Sequence, residues 1–126
     1  MKIKINNKEY KVKEATSDEE KAKGLQGVTE LPEDEGMLFY FDPPEDVQFW
    51  MKNVEIPLDI IFIDEDQEVI KVQEGIPHDE TMVGAPEVAY VLEVNANSGI
   101  QVGDELDLEE DDKGPVMKVL AQDGSD

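Results

Sequence analysis

Apolar and polar residues alternate at the start of the chain, on both sides of Asn6-Asn7. Ile3 and Ile5 precede this pair, and Tyr10 and Val12 follow it. An alternation with a period of two places every second side chain on the same face of a strand. Asparagine tolerates the positive backbone φ that a tight hairpin turn requires. The segment therefore predicts a β-hairpin.

A capping motif then predicts a short helix. Ser17 and Glu20 have the spacing of a capping box, in which each side chain accepts a hydrogen bond from the other residue's backbone N–H. Gly24 and Gly27 favour an early end, because glycine is a poor helix former. The predicted helix therefore has about two to three turns.

The rest of the chain contains short apolar runs separated by turn residues, which is typical of strands. Residues 64–66 separate two such runs and predict a second hairpin. Residues 75–87, with two Pro and two Gly, predict a long loop, and residues 95–99 predict a single helical turn. The predicted strands cover residues 37–41, 47–52, 58–63, 69–72, 88–94, 106–108 and 116–120.

These elements define the predicted fold class. Strands outnumber helices, and strand and helix do not alternate along the chain. We therefore predict a mainly β fold, a compact antiparallel β-sandwich or barrel-like domain with one short N-terminal helix. The length of 126 residues suits a single domain, which we place at residues 1–121. Residues 122–126 are expected to form a disordered acidic tail.

Charge and composition argue against several classes of function. The formal net charge is −21, and residues 24–126 carry 4 Lys and 27 acids. Such a surface repels phosphate backbones and anionic lipids, so neither a nucleic acid nor a membrane is an expected partner. Cysteine is absent, which excludes thiol chemistry. The sequence has no apolar run of membrane-spanning length and no signal-peptide core, so the expected location is cytoplasmic unless an export signal was trimmed.

Several short motifs of the sequence resemble the motifs of a known protein family. They are Lys23-Gly24-Leu25-Gln26, Leu31-Pro32, Glu35-Gly36-Met37-Leu38-Phe39, Phe49-Trp50-Met51-Lys52-Asn53, Ile56-Pro57-Leu58-Asp59-Ile60, Tyr90-Val91-Leu92-Glu93 and Gly99-Ile100-Gln101-Val102-Gly103-Asp104. In this order they resemble the widespread prokaryotic family of unknown function numbered 192. The resemblance implies a small β-rich, sandwich-like fold and supplies no catalytic residue. The family usually has Arg where this chain has Lys23, and many of its members are exported behind a signal peptide.

The end of the aromatic strand is the candidate binding site. A Lys and an amide beside a large ring suit a carboxylate or phosphate ligand. Lys52 would bind the anion, Asn53 would orient it, and Trp50 would form one wall. Alternatively, Lys52 pairs with Asp59 and the pair is structural. The predicted ligand-binding residues are Trp50, Lys52, Asn53, Asp59 and Lys23.

The predicted function is a non-catalytic module that binds a small anionic ligand or a protein partner through residues 50–53. One alternative is a structural component of a larger assembly, such as a particle decoration protein. Another is an enzyme that uses Lys52 and Asp59, with the lone His78 as a weaker candidate. No cofactor and no metal are expected, because the acids at 64–68 lack the Gly and the final acid of a calcium loop. The oligomeric state is left open.

Overall fold

A computed structural model describes residues 1–109 of the protein, which are mostly β, with 53% in strands and 6% in helix. The predicted strand at 116–120 and the predicted acidic tail at 122–126 lie outside the described residues. The elements in chain order are β1 (Lys2–Ile5), β2 (Lys8–Ala15), α1 (Asp18–Lys23), β3 (Glu35–Phe49), β4 (Leu58–Ile63), β5 (Val69–Gly75), β6 (Val83–Asn95) and β7 (Asp107–Glu109).

The N-terminal hairpin and the helix are confirmed, although α1, with 6 residues, is shorter than the predicted two to three turns. Asn6 and Asn7 have φ values of 53° and 60°, which allow the tight turn between β1 and β2. The Glu20 N–H donates to Ser17 Oγ at 3.1 Å, and the Ser17 N–H donates to Glu20 Oε1 at 3.1 Å. Both bonds of the capping box are therefore present, and α1 ends at Gly24.

One seven-stranded sheet contains all the strands of residues 1–109, in the order β5-β4-β6-β3-β2-β1-β7. Neighbouring strands are antiparallel, except for the parallel pair β2 and β3. The sheet curls into a half-barrel. Its two edges meet at one end, where Glu68 and Glu105 form an isolated bridge and the Leu106 N–H donates to Gln67 O at 2.8 Å. The predicted mainly β, barrel-like fold with one short helix is confirmed.

The sheet has an apolar core on each face. One face carries side chains from strands near both edges, and its buried members are Ile3, Ile5, Tyr10, Val12, Leu38, Ile61, Ile63, Val69, Leu92, Val94, Ile100 and Leu106. The other face carries Ala15, Leu25, Met37, Phe39, Phe41, Val47, Met51, Val54, Leu58, Ile60, Phe62, Val88 and Val91. Residues 24–34 and 50–57 supply the loops that pack on this second face. All six residues of β4 are buried, since both faces of this strand are covered.

Three boundaries differ from the predictions. The two strands predicted on either side of residues 42–45 form the single strand β3, whose register shifts between Tyr40 and Val47. Proline has no N–H for the ladder, so the Asp42-Pro43-Pro44 segment bulges without ending the strand. The loop predicted at 75–87 is shorter, because β6 begins at Val83. The helical turn predicted at 95–99 was wrong, since that segment is not helical.

The helical content of the described residues is limited to α1, which has 6 residues. No helix within residues 1–109 has the length and apolar character needed to cross a membrane.

Candidate functional site

The predicted site at residues 50–53 is an exposed corner that follows β3. Trp50 is 38% exposed, and Lys52 Nζ lies 5.2 Å from the centre of its ring, within the range of a cation–π contact. Asn53 has a φ of 62°, and its backbone carbonyl accepts a hydrogen bond from the Gly27 N–H at 3.2 Å. The Met51 N–H donates to Asp79 O at 2.8 Å. Trp50, Lys52 and Asn53 therefore lie together, on a corner that backbone hydrogen bonds hold in place.

Asp59 lies elsewhere. It is 9% exposed, and its Oδ2 accepts hydrogen bonds from the backbone N–H and the hydroxyl of Ser98, at 3.0 and 2.6 Å. In β4 it alternates with Ile60 and so points to the opposite face of the sheet from that residue. No ion pair joins Lys52 and Asp59 among residues 1–109, so the pair predicted from the sequence is not formed there. Asp59 instead anchors the segment that leaves β6.

A cleft of about 340 Å³ opens next to the predicted corner, between the end of α1 and β3. Phe41 and Phe49 supply its accessible apolar surface, and the fully buried Phe39 packs behind them, with ring centres 5.1 Å apart for Phe39–Phe49 and 6.3 Å apart for Phe41–Phe49. These rings meet edge to face, as aromatic side chains prefer. Of the predicted site residues, Trp50 and Lys23 line this cleft, whereas Lys52, Asn53 and Asp59 do not.

A buried carboxyl group lies in the wall of the same cleft. Glu93 is only 4% exposed, and it lies on β6 between Met37 of β3 and Ile60 of β4. Its carboxyl group has no hydrogen bond and no ion pair among residues 1–109, and the small exposed part of the side chain opens into the cleft. Loss of water around the carboxylate raises the pKa of Glu93 to about 8. Glu93 is therefore mostly protonated at pH 7.

Gly24 shapes the approach to this carboxyl group. A Cβ atom at position 24 would lie 3.5 Å from the Phe39 ring and 3.9 Å from Glu93 Oε1. The backbone at the end of α1 thus passes close to both groups. Gly24 has a φ of 50° and a ψ of −132°, a conformation that suits glycine because it has no side chain.

Charged groups of both signs surround the cleft. Lys21 and Lys23 come from α1, and Glu45 and Asp46 come from β3. Lys21 Nζ lies 4.4 Å from the centre of the Phe41 ring, so an ammonium group already covers one aromatic face. Lys23, Glu45 and Asp46 are exposed and Lys21 is half-buried, whereas Glu93 is deep in the wall.

The remaining sequence candidates lie outside the cleft. His78 Nε2 is 3.3 Å from Glu55 Oε1, and both side chains are exposed. Asp64 Oδ1 accepts hydrogen bonds from the backbone N–H groups of Asp66 and Glu68, each at 3.0 Å, so this acid shapes the hairpin turn. Within residues 1–109, no group of three or more His, Asp or Glu side chains is arranged to hold a metal ion.

Comparison with known protein families identifies the family of this chain. The model of the family DUF192, described as an uncharacterized ACR, matches residues 1–108. The chain belongs to the DUF192 family. The predicted resemblance is therefore confirmed, and the activity of this family is unknown.

Two solved structures are similar to this DUF192 chain. A protein of unknown function from Novosphingobium aromaticivorans is 36% identical, with a TM-score of 0.80, and the match covers 85% of this chain and 84% of that one. A Sinorhizobium meliloti protein, described as "a putative transcription regulator", is 31% identical, with a TM-score of 0.78, and the match covers 84% of this chain and 89% of that one. A search of curated proteins finds no match.

Four of the motifs that carry the DUF192 resemblance contribute residues to the cleft. Residues 23–26 form part of its wall, Phe39 and Trp50 line it, and Glu93 ends the Tyr90–Glu93 motif. These segments are distant along the chain and come together only through the sheet. Glu93 belongs to the motifs that carry the resemblance, yet the sequence pattern did not predict it as a site residue. The available signal was a lone acid among the apolar residues of a strand that is buried on both faces.

Proposed function

We propose that this DUF192 domain is a binding module, and that its cleft holds a small molecule with an apolar body and one polar group. The observation that carries the proposal is the buried carboxyl group of Glu93, which faces an aromatic cleft and has no partner among residues 1–109. The site is next to the predicted corner at residues 50–53 and shares Trp50 with it.

The cost of burying Glu93 supports a functional role. Burial removes most of the water around the Glu93 carboxyl group, which disfavours its charged form and raises its pKa. An apolar residue at this position would extend the surrounding core, which includes Phe39 and Ile60. Groups that lower stability in this way are concentrated at functional sites, where a ligand supplies the missing partner.

The size of the cleft limits the ligand. Its volume of about 340 Å³ is near the lower end of the range for small-molecule sites, roughly 300–1,000 Å³. Phe41, Phe49 and Trp50 offer an aromatic apolar surface, and Glu93 offers one deep polar contact. A compact molecule with one ring or a short branched chain fits this description.

The geometry does not favour the enzyme alternative that uses Lys52 and Asp59. Asp59 is bonded to Ser98, and Lys52 lies beside Trp50 on an exposed corner. The two groups therefore do not share a reaction centre. The assembly-component alternative and the anionic ligand at Lys52 stay predictions.

The Sinorhizobium relative's description does not lead us to propose DNA binding here. A net charge of −21 opposes contact with a phosphate backbone, because such contacts depend on Lys and Arg. Regulation through a bound small molecule is compatible with the cleft and needs no nucleic-acid surface on this chain.

Nuclear magnetic resonance of the full 126-residue chain tests the proposed module. Trp50 is the only Trp, so its indole N–H gives one unambiguous signal. A library of small aromatic and branched aliphatic compounds, with cationic, neutral and anionic members, is added to ¹⁵N-labelled protein. We expect binders to shift the Trp50 signal and the backbone signals of residues 23–26.

Two variants test whether a compound binds in the cleft or elsewhere on the surface. Ala22 is exposed on α1 and lines the cleft, so Ala22→Phe places a ring in its mouth. Val102 is 65% exposed and outside the cleft, so Val102→Phe adds the same ring elsewhere. Binding should be lost in Ala22→Phe and kept in Val102→Phe. If no compound shifts the Trp50 signal, or if Ala22→Phe binds as well as the wild type, the proposal is wrong.

A further inference from the structure

We propose that the ligand of the cleft is a small organic ammonium ion, whose charge lies beside Glu93 and whose apolar body packs against the aromatic rings. This inference rests on the proposed function and adds the chemical class of the ligand to it. It differs from the anionic ligand expected at Lys52, which lies outside the cleft.

The aromatic rings favour a cation. Parts of Phe41, Phe49 and Trp50 are exposed at the cleft, whereas Phe39 is fully buried behind them, and the face of an aromatic ring attracts positive charge. The described residues already show this contact in three places, since Lys21 Nζ lies over Phe41, Lys52 Nζ over Trp50 and Lys71 Nζ over Phe62. A ligand ammonium would make the same kind of contact deeper in the cleft.

The depth of each charged group decides the sign of the ligand charge. Lys23, Glu45 and Asp46 are exposed and Lys21 is half-buried, so water weakens the effect of all four groups on a ligand, and their opposite charges largely offset one another. Glu93 is in the wall, where the effective dielectric constant is about 20 and not about 80, so the interactions of its carboxylate form are roughly four times stronger at equal distance. Together with the net charge of −21, Glu93 favours a cation over an anion.

Binding should release a proton. The free cleft holds Glu93 mostly in its neutral form, because the pKa of Glu93 is raised to about 8 by burial. An ammonium ion stabilises the carboxylate form, so the carboxyl O–H bond breaks, the proton goes to water, and the carboxylate pairs with the ligand N–H. The charged groups around Glu93 are Lys21 and Lys23 from α1 and Glu45 and Asp46 from β3. Its β-ladder neighbours on β3 and β4 are apolar, namely Met37 and Ile60.

Proton release predicts the pH dependence of binding. Below the pKa of Glu93, each pH unit should raise the affinity about tenfold, and the rise should level off near pH 8. Between pH 6.0 and 7.5 the affinity of an ammonium ligand should therefore increase roughly 25-fold. A neutral ligand that accepts the O–H of Glu93 should show the opposite trend, since it binds the protonated form.

Three probes of matched size test the inference: benzylammonium, benzyl alcohol and benzoate. Each is titrated into the full 126-residue chain at pH 6.0 and 7.5, with the Trp50 indole signal as the readout. We expect benzylammonium to bind most tightly and to gain roughly 25-fold in affinity at the higher pH. In Glu93→Gln, which cannot titrate, its affinity should fall and should differ less than threefold between the two pH values.

Lys21→Met provides a second variant on an exposed helix. It removes the ammonium group that covers Phe41, so benzylammonium should bind more tightly than to the wild type. If Lys21→Met weakens the binding, or if the affinity for benzylammonium is flat with pH in the wild type, the inference is overturned. If benzyl alcohol or benzoate binds as tightly as benzylammonium at pH 7.5, the ligand class is wrong and the proposed function stands. If no probe and no library compound shifts the Trp50 signal, both proposals fail.

Discussion

The substitution Glu93→Gln should stabilise the protein increasingly as the pH rises. The folded pKa of Glu93 is raised from 4.5 to about 8 by burial, so the folded state binds one more proton than the unfolded state between these two values. The stabilising effect of this raised pKa is fully present below pH 4.5 and is lost as the pH increases through about 8. Gln has nearly the same shape and no proton to lose.

The magnitude follows from the two pKa values. Each pH unit in this window changes the free energy of unfolding of the wild type by about 1.4 kcal/mol through Glu93 alone. Between pH 5.0 and 7.5, the free energy of unfolding of Glu93→Gln should therefore gain about 3 kcal/mol relative to the wild type. This difference does not depend on how well the Gln amide packs, because that contribution is the same at both pH values.

Urea unfolding at several pH values measures this change. Urea is uncharged, so the ionic strength stays constant across the series, and the midpoint and slope give the free energy of unfolding. Far-UV circular dichroism and the fluorescence of Trp50 serve as independent signals. The matched control is Glu80→Gln, which removes an exposed carboxyl group on the loop before β6.

Parallel plots of the free energy of unfolding against pH for the two proteins would refute this prediction. If the free energies of unfolding of Glu93→Gln and the wild type differ by the same amount at pH 5.0 and 7.5, then the pKa of Glu93 is not raised. The carboxylate would then be hydrated or paired in the folded state, and the dehydrated, unpartnered group on which both proposals rest would be lost. Glu80→Gln removes the same charge from the surface and so measures the effect of net charge alone.

Three further predictions concern stability. Ser98→Ala removes the hydroxyl that donates to the buried Asp59 at 2.6 Å, so it should lower the free energy of unfolding by about 1–3 kcal/mol in urea; an unchanged midpoint would show that Asp59 does not need this bond. Trp50→Ala should cost less than the roughly 3–5 kcal/mol of a fully packed aromatic residue, because the ring is 38% exposed; a loss in that upper range would assign Trp50 to the core. The melting temperature should rise as monovalent salt increases from about 10 mM to about 300 mM. The screening length then falls from about 30 Å to below 8 Å, which weakens the repulsion among the acids. A lower melting temperature at high salt would mean that attractive ion pairs dominate.

Local structure could be predicted because its causes are near each other in the sequence. The turn at Asn6-Asn7 needs only two residues that accept positive φ, and the capping box of Ser17 and Glu20 spans one helical turn. The apolar pattern likewise predicted the strands and the mainly β class. The motifs that carry the family resemblance include Trp50 and Lys23, and both of these residues line the cleft.

The sequence by itself thus determined most of the strands, the hairpin turns, the helix caps and two residues that line the cleft, Trp50 and Lys23. Only the tertiary structure decided which side chains meet. Asp59 follows Lys52 closely in the sequence. Its position in β4 nevertheless directs its side chain toward Ser98, on the face of the sheet opposite to the cleft. Glu93 faces the cleft because β6 is paired with β3 on one side and β4 on the other, while α1 closes over that face. Strand pairing over such distances depends on the register of the whole sheet, which no local pattern encodes.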